Sequence, residues 1–190
     1  MSENIDFRVD YNKFKVMDEF NTDELKYPLI LSIPHCGTVF PEEFLRAVRH
    51  DVMTLRKNED ILVYDLLEPA IRDGGIAAIK LNVSRSFIDV NRAKVELDPN
   101  MFFDYPREDI GLNQQRSRYG LGIIHKVTAD SRPIYAGRIS YKEAEERIKN
   151  VYDVYHGRLK ELIARTIDKF GFCLVLDCHS MPSKICSIIS

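Results

Sequence analysis

Residues 141–177 read YKEAEERIKNVYDVYHGRLKELIARTIDKFGFCLVLD, and this stretch decides the fold. Ile148, Val151, Tyr152, Tyr155, Leu159, Leu162, Ile163, Ile167 and Phe170 recur at intervals of three and four. They form one core-facing stripe on a helix running from Tyr141 to about Lys169. Ser140 and Glu143 have the spacing of a capping box, in which each side chain satisfies an orphan backbone N–H of the first turn. Gly171 supplies the stop. Phe172–Asp177 (FCLVLD) follows at once as an unbroken apolar run, the pattern of a central strand in a sheet covered on both faces.

The same alternation recurs upstream. Residues 28–33 (PLILSI), closed by Pro34 and Gly37, read as a buried strand. Pro41 then opens a helix to about Arg49. Residues 59–72 read as a second helix, ended by Gly74-Gly75. Residues 76–81 (IAAIKL) follow as the next strand, and Phe87–Val90 is a candidate for another. The stretch from about Ala93 to Arg138 is rich in Pro, Gly, Asn and Arg. It is long for an inert connection, which points to a functional insert or several short elements. Strands alternating with helices predict a single α/β sandwich domain over residues 1–190, with a largely parallel sheet.

The 190 residues carry 27 basic and 29 acidic side chains, a formal net charge of −2. Such a balance excludes a general electrostatic grip on nucleic acid or anionic lipid, which needs a clustered basic excess. Arg107, Arg116 and Arg118 lie close together, but Glu108 and Asp109 dilute them, and the run reads as a solvated loop. Residues 1–10 hold no apolar stretch, and no apolar run approaches the roughly 20 residues of a membrane span. A cytoplasmic protein is expected. Cys36, Cys173, Cys178 and Cys186 have no framework spacing and are expected to be thiols.

Two of the predicted strands end in histidine: Ser32-Ile33-Pro34-His35-Cys36-Gly37 and Asp177-Cys178-His179-Ser180. In open α/β sheets, ligands bind beyond the carboxyl ends of strands, so both imidazoles are placed for one site. A hydrolytic zinc commonly takes two His and one carboxylate, leaving a position for a water whose pKa falls to about 7. Asn58-Glu59-Asp60 opens the second predicted helix, and either Glu59 or Asp60 could be the acid. Asp177, two positions before His179 and on the same side of its strand, could fix the tautomer of that ring. Cys36 and Cys178 beside the two histidines raise a structural Cys/His zinc or a Cys–His nucleophile as lesser alternatives. Between the strand ends lies Ser84-Arg85-Ser86-Phe87-Ile88-Asp89-Val90-Asn91-Arg92. The planar fork of arginine binds carboxylates bidentately, so a small acidic substrate is the natural inference.

S-x-P-H-x-G, an acidic pair, S-R-x-x-x-D-x-N-R, a long helix with Y-x-x-Y-H, and D-x-H-S follow one another in that order. From about Leu29 to Pro182 the chain resembles the N-formylglutamate amidohydrolase family, which is similar in fold to the zinc carboxypeptidases. The resemblance implies a three-layer α/β sandwich of the phosphorylase/hydrolase-like type, with a mixed, largely parallel sheet. It also implies His35, His179 and either Asp60 or Glu59 as ligands of a divalent metal, zinc first, with manganese or iron compatible. Asn91 and Arg92 would receive a substrate carboxylate, and Arg85 would bind substrate or polarise its carbonyl. Arg85, Asp177 and His179 would form the catalytic set. The implied reaction is hydrolysis of N-formyl-L-glutamate to formate and L-glutamate, at the end of a histidine-degradation route.

Hydrolysis of other N-acyl amino acids or short peptides is an alternative. Two departures from the family stand out. Cys36 replaces the usual serine, and family members continue well beyond the D-x-H-S strand. The expectation is therefore a fold incomplete at its C-terminal end, lacking a general-base glutamate. Such a chain could be a metal- and carboxylate-binding module with weak catalysis. An exposed sheet edge would then give low solubility or edge-mediated self-association.

Overall fold

The structure, a computed structural model, describes residues 4–106 and 119–181. The expected solvated loop at 107–118, and the tail with Cys186, lie outside the described residues.

A four-stranded sheet forms the centre, in the order β2 (Met17–Phe20), β4 (Ala77–Leu81), β3 (Leu29–Ile33), β6 (Leu174–Asp177). β4, β3 and β6 are parallel, and β2 runs antiparallel along β4. β1 (Asn4–Ile5) and β5 (Arg138–Ile139) make a separate short parallel pair. The helices are α1 (Glu42–Ala47), α2 (Val52–Leu55), α3 (Val63–Arg72), α4 (Tyr141–Arg147) and α5 (Asp153–Phe170). This is the expected α/β fold with a mixed, largely parallel sheet.

Alternation along β3 and β4 distributes their side chains to two layers. Ile30, Ile79 and Leu81 face a core that includes Ala144, Val151, Tyr155 and Leu162 of the long helical segment. Leu31, Ile33 and Ala78 face the other way, onto Val63 and Ile71 of α3. Helices therefore cover both faces of the central strands. Among the described residues, no helix is long and apolar enough to cross a membrane.

Several expectations are corrected. The long helix is not uniform, because a π-helical turn at Ile148–Tyr152 joins α4 to α5. The capping box does not form. Ser140 donates instead to Asp104 Oδ2 (2.8 Å), and Asp104 Oδ1 accepts from the Tyr141 backbone N–H (2.5 Å). Glu143 is drawn inward, where it pairs with the fully buried Arg147. Phe87–Val90 is a buried turn rather than a strand, with the N–H of Phe87 and of Ile88 donating back to Ser84 O (2.9 and 3.3 Å). The second predicted helix starts only at Val63, because Leu62 adopts a left-handed φ of 69°. β2 has no counterpart among the predicted strands.

β6 lies at the edge of the described sheet, not at its centre, although its sequence reads as central. Leu174 and Leu176 are 54% and 46% exposed. They share a face with Leu29 and Leu31, their register partners on β3, and α3 does not extend over them. Gly171 ends α5 in the left-handed region (φ 81°) as predicted, where it carries no Cβ penalty.

Candidate active site

β3 delivers its chain end to the core. Past Ile33 the chain turns through Pro34, and His35 is almost fully buried. Gly37 allows the chain to lie against the segment after β4, since a Cβ there would come within 2.2 Å of the Val83 carbonyl oxygen. The His35 carbonyl accepts from the Asp60 N–H (3.0 Å), which pins the 58–62 turn beside the strand end. The turn so pinned presents Asp60 to the histidine before α3 begins at Val63. The third arm arrives in parallel register: Asp177 pairs with Ser32, and the Cys178 N–H donates to Ser32 O (2.8 Å). His179 follows directly.

These three side chains meet. Asp60 Oδ2 lies 3.3 Å from His35 Nδ1 and 2.9 Å from His179 Nδ1, and the two imidazole centroids are 4.6 Å apart. One ligand atom from each of His35, Asp60 and His179 lies within 4.8 Å of the others. Ligands about 2.0–2.1 Å from a tetrahedral ion are separated by roughly 3.3 Å, so the donor set and its spacing fit a divalent cation. Glu59 is not brought to the cluster. Its Oε2 accepts from Arg56 Nε (2.8 Å), and burial pushes its carboxyl up. Neither cysteine joins the group. Cys36 donates to Asp60 O, Cys178 donates to Leu176 O, and burial pushes both thiols up, which disfavours a nucleophilic thiolate.

The outer nitrogens of both rings are held by carboxylates. His35 Nε2 donates to Asp89 Oδ1 (2.8 Å), and His179 Nε2 donates to Asp177 Oδ2 (2.8 Å), leaving both Nδ1 atoms facing Asp60. Asp89 is fully buried and accepts four hydrogen bonds. Oδ1 takes His35 Nε2 and the Asn91 N–H (2.9 Å), and Oδ2 takes Arg85 Nε (2.8 Å) and His125 Nε2 (3.3 Å). Burial alone would raise its carboxyl, but hydrogen bonds from His125 and His35 outweigh that and hold it well below the ordinary range. Asp60 behaves alike, with burial opposed by hydrogen bonds from His179 and His35, and its carboxyl lies far below its usual value. His179 is pushed up to about 9 by hydrogen bonds first to Asp177 and then to Asp60. His125 is lowered by complete burial, and its Nδ1 accepts from Asn58 Nδ2 (3.3 Å).

The remaining expected residues lie on the 84–92 loop. Arg85 pairs with Asp89 and lines a cavity of about 530 Å³ with Asp60, Leu121, His125, Ala129 and Met181. That volume is in the usual range of small-molecule sites, roughly 300–1,000 Å³. Asn91 Nδ2 sits 3.0 Å from His179 Nε2. Arg92 donates from Nε to Leu121 O (3.1 Å) and from Nη1 to Asn91 O (2.8 Å), so it also braces the loop. Two contributors were not foreseen: Asp89 as the holder of His35, and His125, a lone histidine in the ambiguous insert. Only Asp89 carried a signal, its place in the D-x-N-R segment.

A family model described as N-formylglutamate amidohydrolase matches residues 27–188. An N-formylglutamate deformylase of Pseudomonas aeruginosa is 26% identical over 165 residues, covering 84% of this chain and 54% of that protein. One from Pseudomonas putida is 24% identical over 162 residues, with the same coverage. The crystal structure of N-formylglutamate amidohydrolase from Ralstonia eutropha JMP134 superposes with a TM-score of 0.80 at 27% identity, covering 92% of this chain and 61% of that one. The chain thus spans about half the length of the deformylases it matches.

Proposed function

Because the chain belongs to the N-formylglutamate amidohydrolase family, we propose that it hydrolyses the amide of an N-acyl acidic amino acid, N-formyl-L-glutamate first, with a divalent metal, zinc first, at His35, Asp60 and His179. The observation that carries this reading is the convergence of those three ligand atoms within 4.8 Å, beside a cavity that Arg85 lines. When bound, a divalent cation supplies Lewis acidity and a water acidified to a pKa of about 7.

The protein's own groups do the rest. Asp89 and Asp177 orient the rings by accepting from their outer nitrogens, an arrangement that also strengthens ligand basicity. Arg85 offers a guanidinium to a substrate carboxylate or to charge developing on the acyl oxygen. Asn91 and Arg92, at the end of the same loop, receive a substrate carboxylate. A small acidic amide is the partner implied, with no role for nucleic acid or membrane.

A second reading has a specific observation behind it. Asp89 and Asp177 each already accept hydrogen bonds from histidine or arginine, and Asp60 is taken up as a ligand, so none of them is positioned as a spare proton acceptor. On that reading the chain binds metal and acidic ligand but turns over slowly. Formate release from N-formyl-L-glutamate by the purified chain, with and without chelator, tests the proposal. Metal-dependent formate release at a catalytic rate supports the enzyme. Binding of metal and N-formylglutamate without release supports the module, and release that persists after the metal is stripped overturns the metal-dependent reading. Parallel assays with N-acetylglutamate and a short peptide test other acyl substrates.

A further inference from the structure

The Y-x-x-Y-H segment, Tyr152 to His156, has no part in the chemistry described so far, yet two of its side chains reach toward the cluster. Tyr155 is 1% exposed, and its hydroxyl lies 3.0 Å from Ser32 Oγ, which in turn donates to Asp177 Oδ1 (3.0 Å). Since the one hydroxyl proton of Ser32 goes to Asp177, Tyr155 must donate to Ser32. The other oxygen of Asp177 accepts from His179. His156, the next residue, donates from Nε2 to the Val90 carbonyl (2.7 Å), between Asp89 and Asn91. Nine residues earlier on the same helical segment, Arg147 Nη1 donates to the Phe87 carbonyl (2.7 Å).

In a regular α-helix at about 100° per residue, nine residues would put Arg147 and His156 on opposite faces. The π-helical turn at Ile148–Tyr152 absorbs one extra residue. That brings His156 to about 80° from Arg147 and Tyr155 to within about 20° of it. Arg147 and Tyr155 are accordingly both buried, and all three side chains reach the same side of the molecule.

We propose that Tyr155 and His156 are positioning residues: Tyr155 fixes His179 through Ser32 and Asp177, and His156 fixes the Asp89–Arg92 loop, in a register set by the π-helical turn. The inference rests on the metal-site reading above. Tyr155→Phe removes only a hydroxyl, and His156→Gln keeps an N–H donor that His156→Ala lacks. Val154→Ala, exposed on the same turn, is the control.

Each variant is tested for zinc affinity by competition with a chromophoric chelator, for thermal midpoint, and for KM and kcat on N-formyl-L-glutamate. Tyr155→Phe is expected to weaken zinc affinity severalfold, up to about tenfold, the lower end of effects seen when a ligand's direct hydrogen-bond partner is lost, because Tyr155 acts through Ser32 and Asp177. His156→Ala is expected to raise KM severalfold, with His156→Gln restoring it. Variants that lose thermal stability yet keep wild-type zinc affinity and KM would reduce both residues to packing and overturn the inference alone. A wild-type chain that binds no zinc overturns the metal-site reading and this inference with it.

Discussion

Replacing Asp89 with asparagine keeps the shape of the side chain and removes its charge, at a carboxylate with no exposed surface. Four donors converge on it, two per oxygen: His35 Nε2 and the Asn91 N–H, then Arg85 Nε and His125 Nε2. An asparagine has one carbonyl oxygen, so in either orientation its amide hydrogens face two donors that have lost their acceptor. Each hydrogen bond to a charged group contributes about 1.5–3 kcal/mol, and breaking a buried ion pair costs about 3–5 kcal/mol. Arg85 is one-fifth exposed and keeps some water, so the lower figures apply. A loss of about 3–4 kcal/mol is expected, a large part of a total stability of roughly 5–15 kcal/mol. Urea denaturation with chelator present measures it without a contribution from metal. Glu68→Gln, which breaks an exposed pair with Arg72, is the control and should cost under about 0.5 kcal/mol. The same Asp89 substitution should weaken zinc affinity by about 10- to 100-fold, because His35 loses its orienting acceptor. A stability loss below about 1 kcal/mol would refute the reasoning, since the carboxylate could not then be the hub of the loop.

Asp60→Asn should abolish tight metal binding, whereas Glu59→Gln should leave it within about threefold, the opposite ranking sinking the ligand assignment. In the metal-free chain, stability should fall on both sides of neutrality. His179, pushed up to about 9, contributes stability that is complete below its ordinary 6.5 and lost as pH rises through about 9. Asp60, Asp89 and Asp177, all held low, contribute stability present above 3.8 and lost as pH falls, and buried His125 adds a decline beginning below 6.5. Thermal midpoints from pH 4 to 10 would show a dome, and a midpoint still climbing at pH 9 would contradict it. Leu176→Lys, on the exposed face of β6 at the edge of the described sheet, should reduce self-association of this chain in gel filtration; a wild-type chain that already runs as a clean monomer removes the basis for that expectation.

What the sequence discloses follows from which interactions are local. β3 and β4 are legible as short apolar runs bounded by proline or glycine, α5 because its apolar stripe carries the helical period, and Gly171 marks where that helix stops. His35 and His179 are legible because each directly follows a strand end. The choice between Glu59 and Asp60 is not, because adjacent residues have the same spacing to His35. What turns Asp60 rather than Glu59 toward the histidines is non-local: the Asp60 N–H bonds to the His35 carbonyl, while Glu59 is held by Arg56. Phe87-Ile88 reads as a strand because buried apolar residues look alike in sequence. Their burial comes from a turn whose carbonyls are held by Arg147 and His156, some 60 positions away. The position of β6 at the edge of the described sheet is hidden for a related reason: the apolar residues Leu174, Val175 and Leu176 report that a strand wants cover, not what supplies it.

The proposed chemistry requires a cation at His35, Asp60 and His179. Crystals of the chain soaked in zinc, with anomalous diffraction recorded above and below the zinc absorption edge, locate it directly. The prediction is one strong peak within about 2.3 Å of an imidazole nitrogen of His35, an imidazole nitrogen of His179 and a carboxylate oxygen of Asp60. A map with no peak among these three, or with zinc bound only elsewhere on the surface, would contradict a metal site at His35, Asp60 and His179.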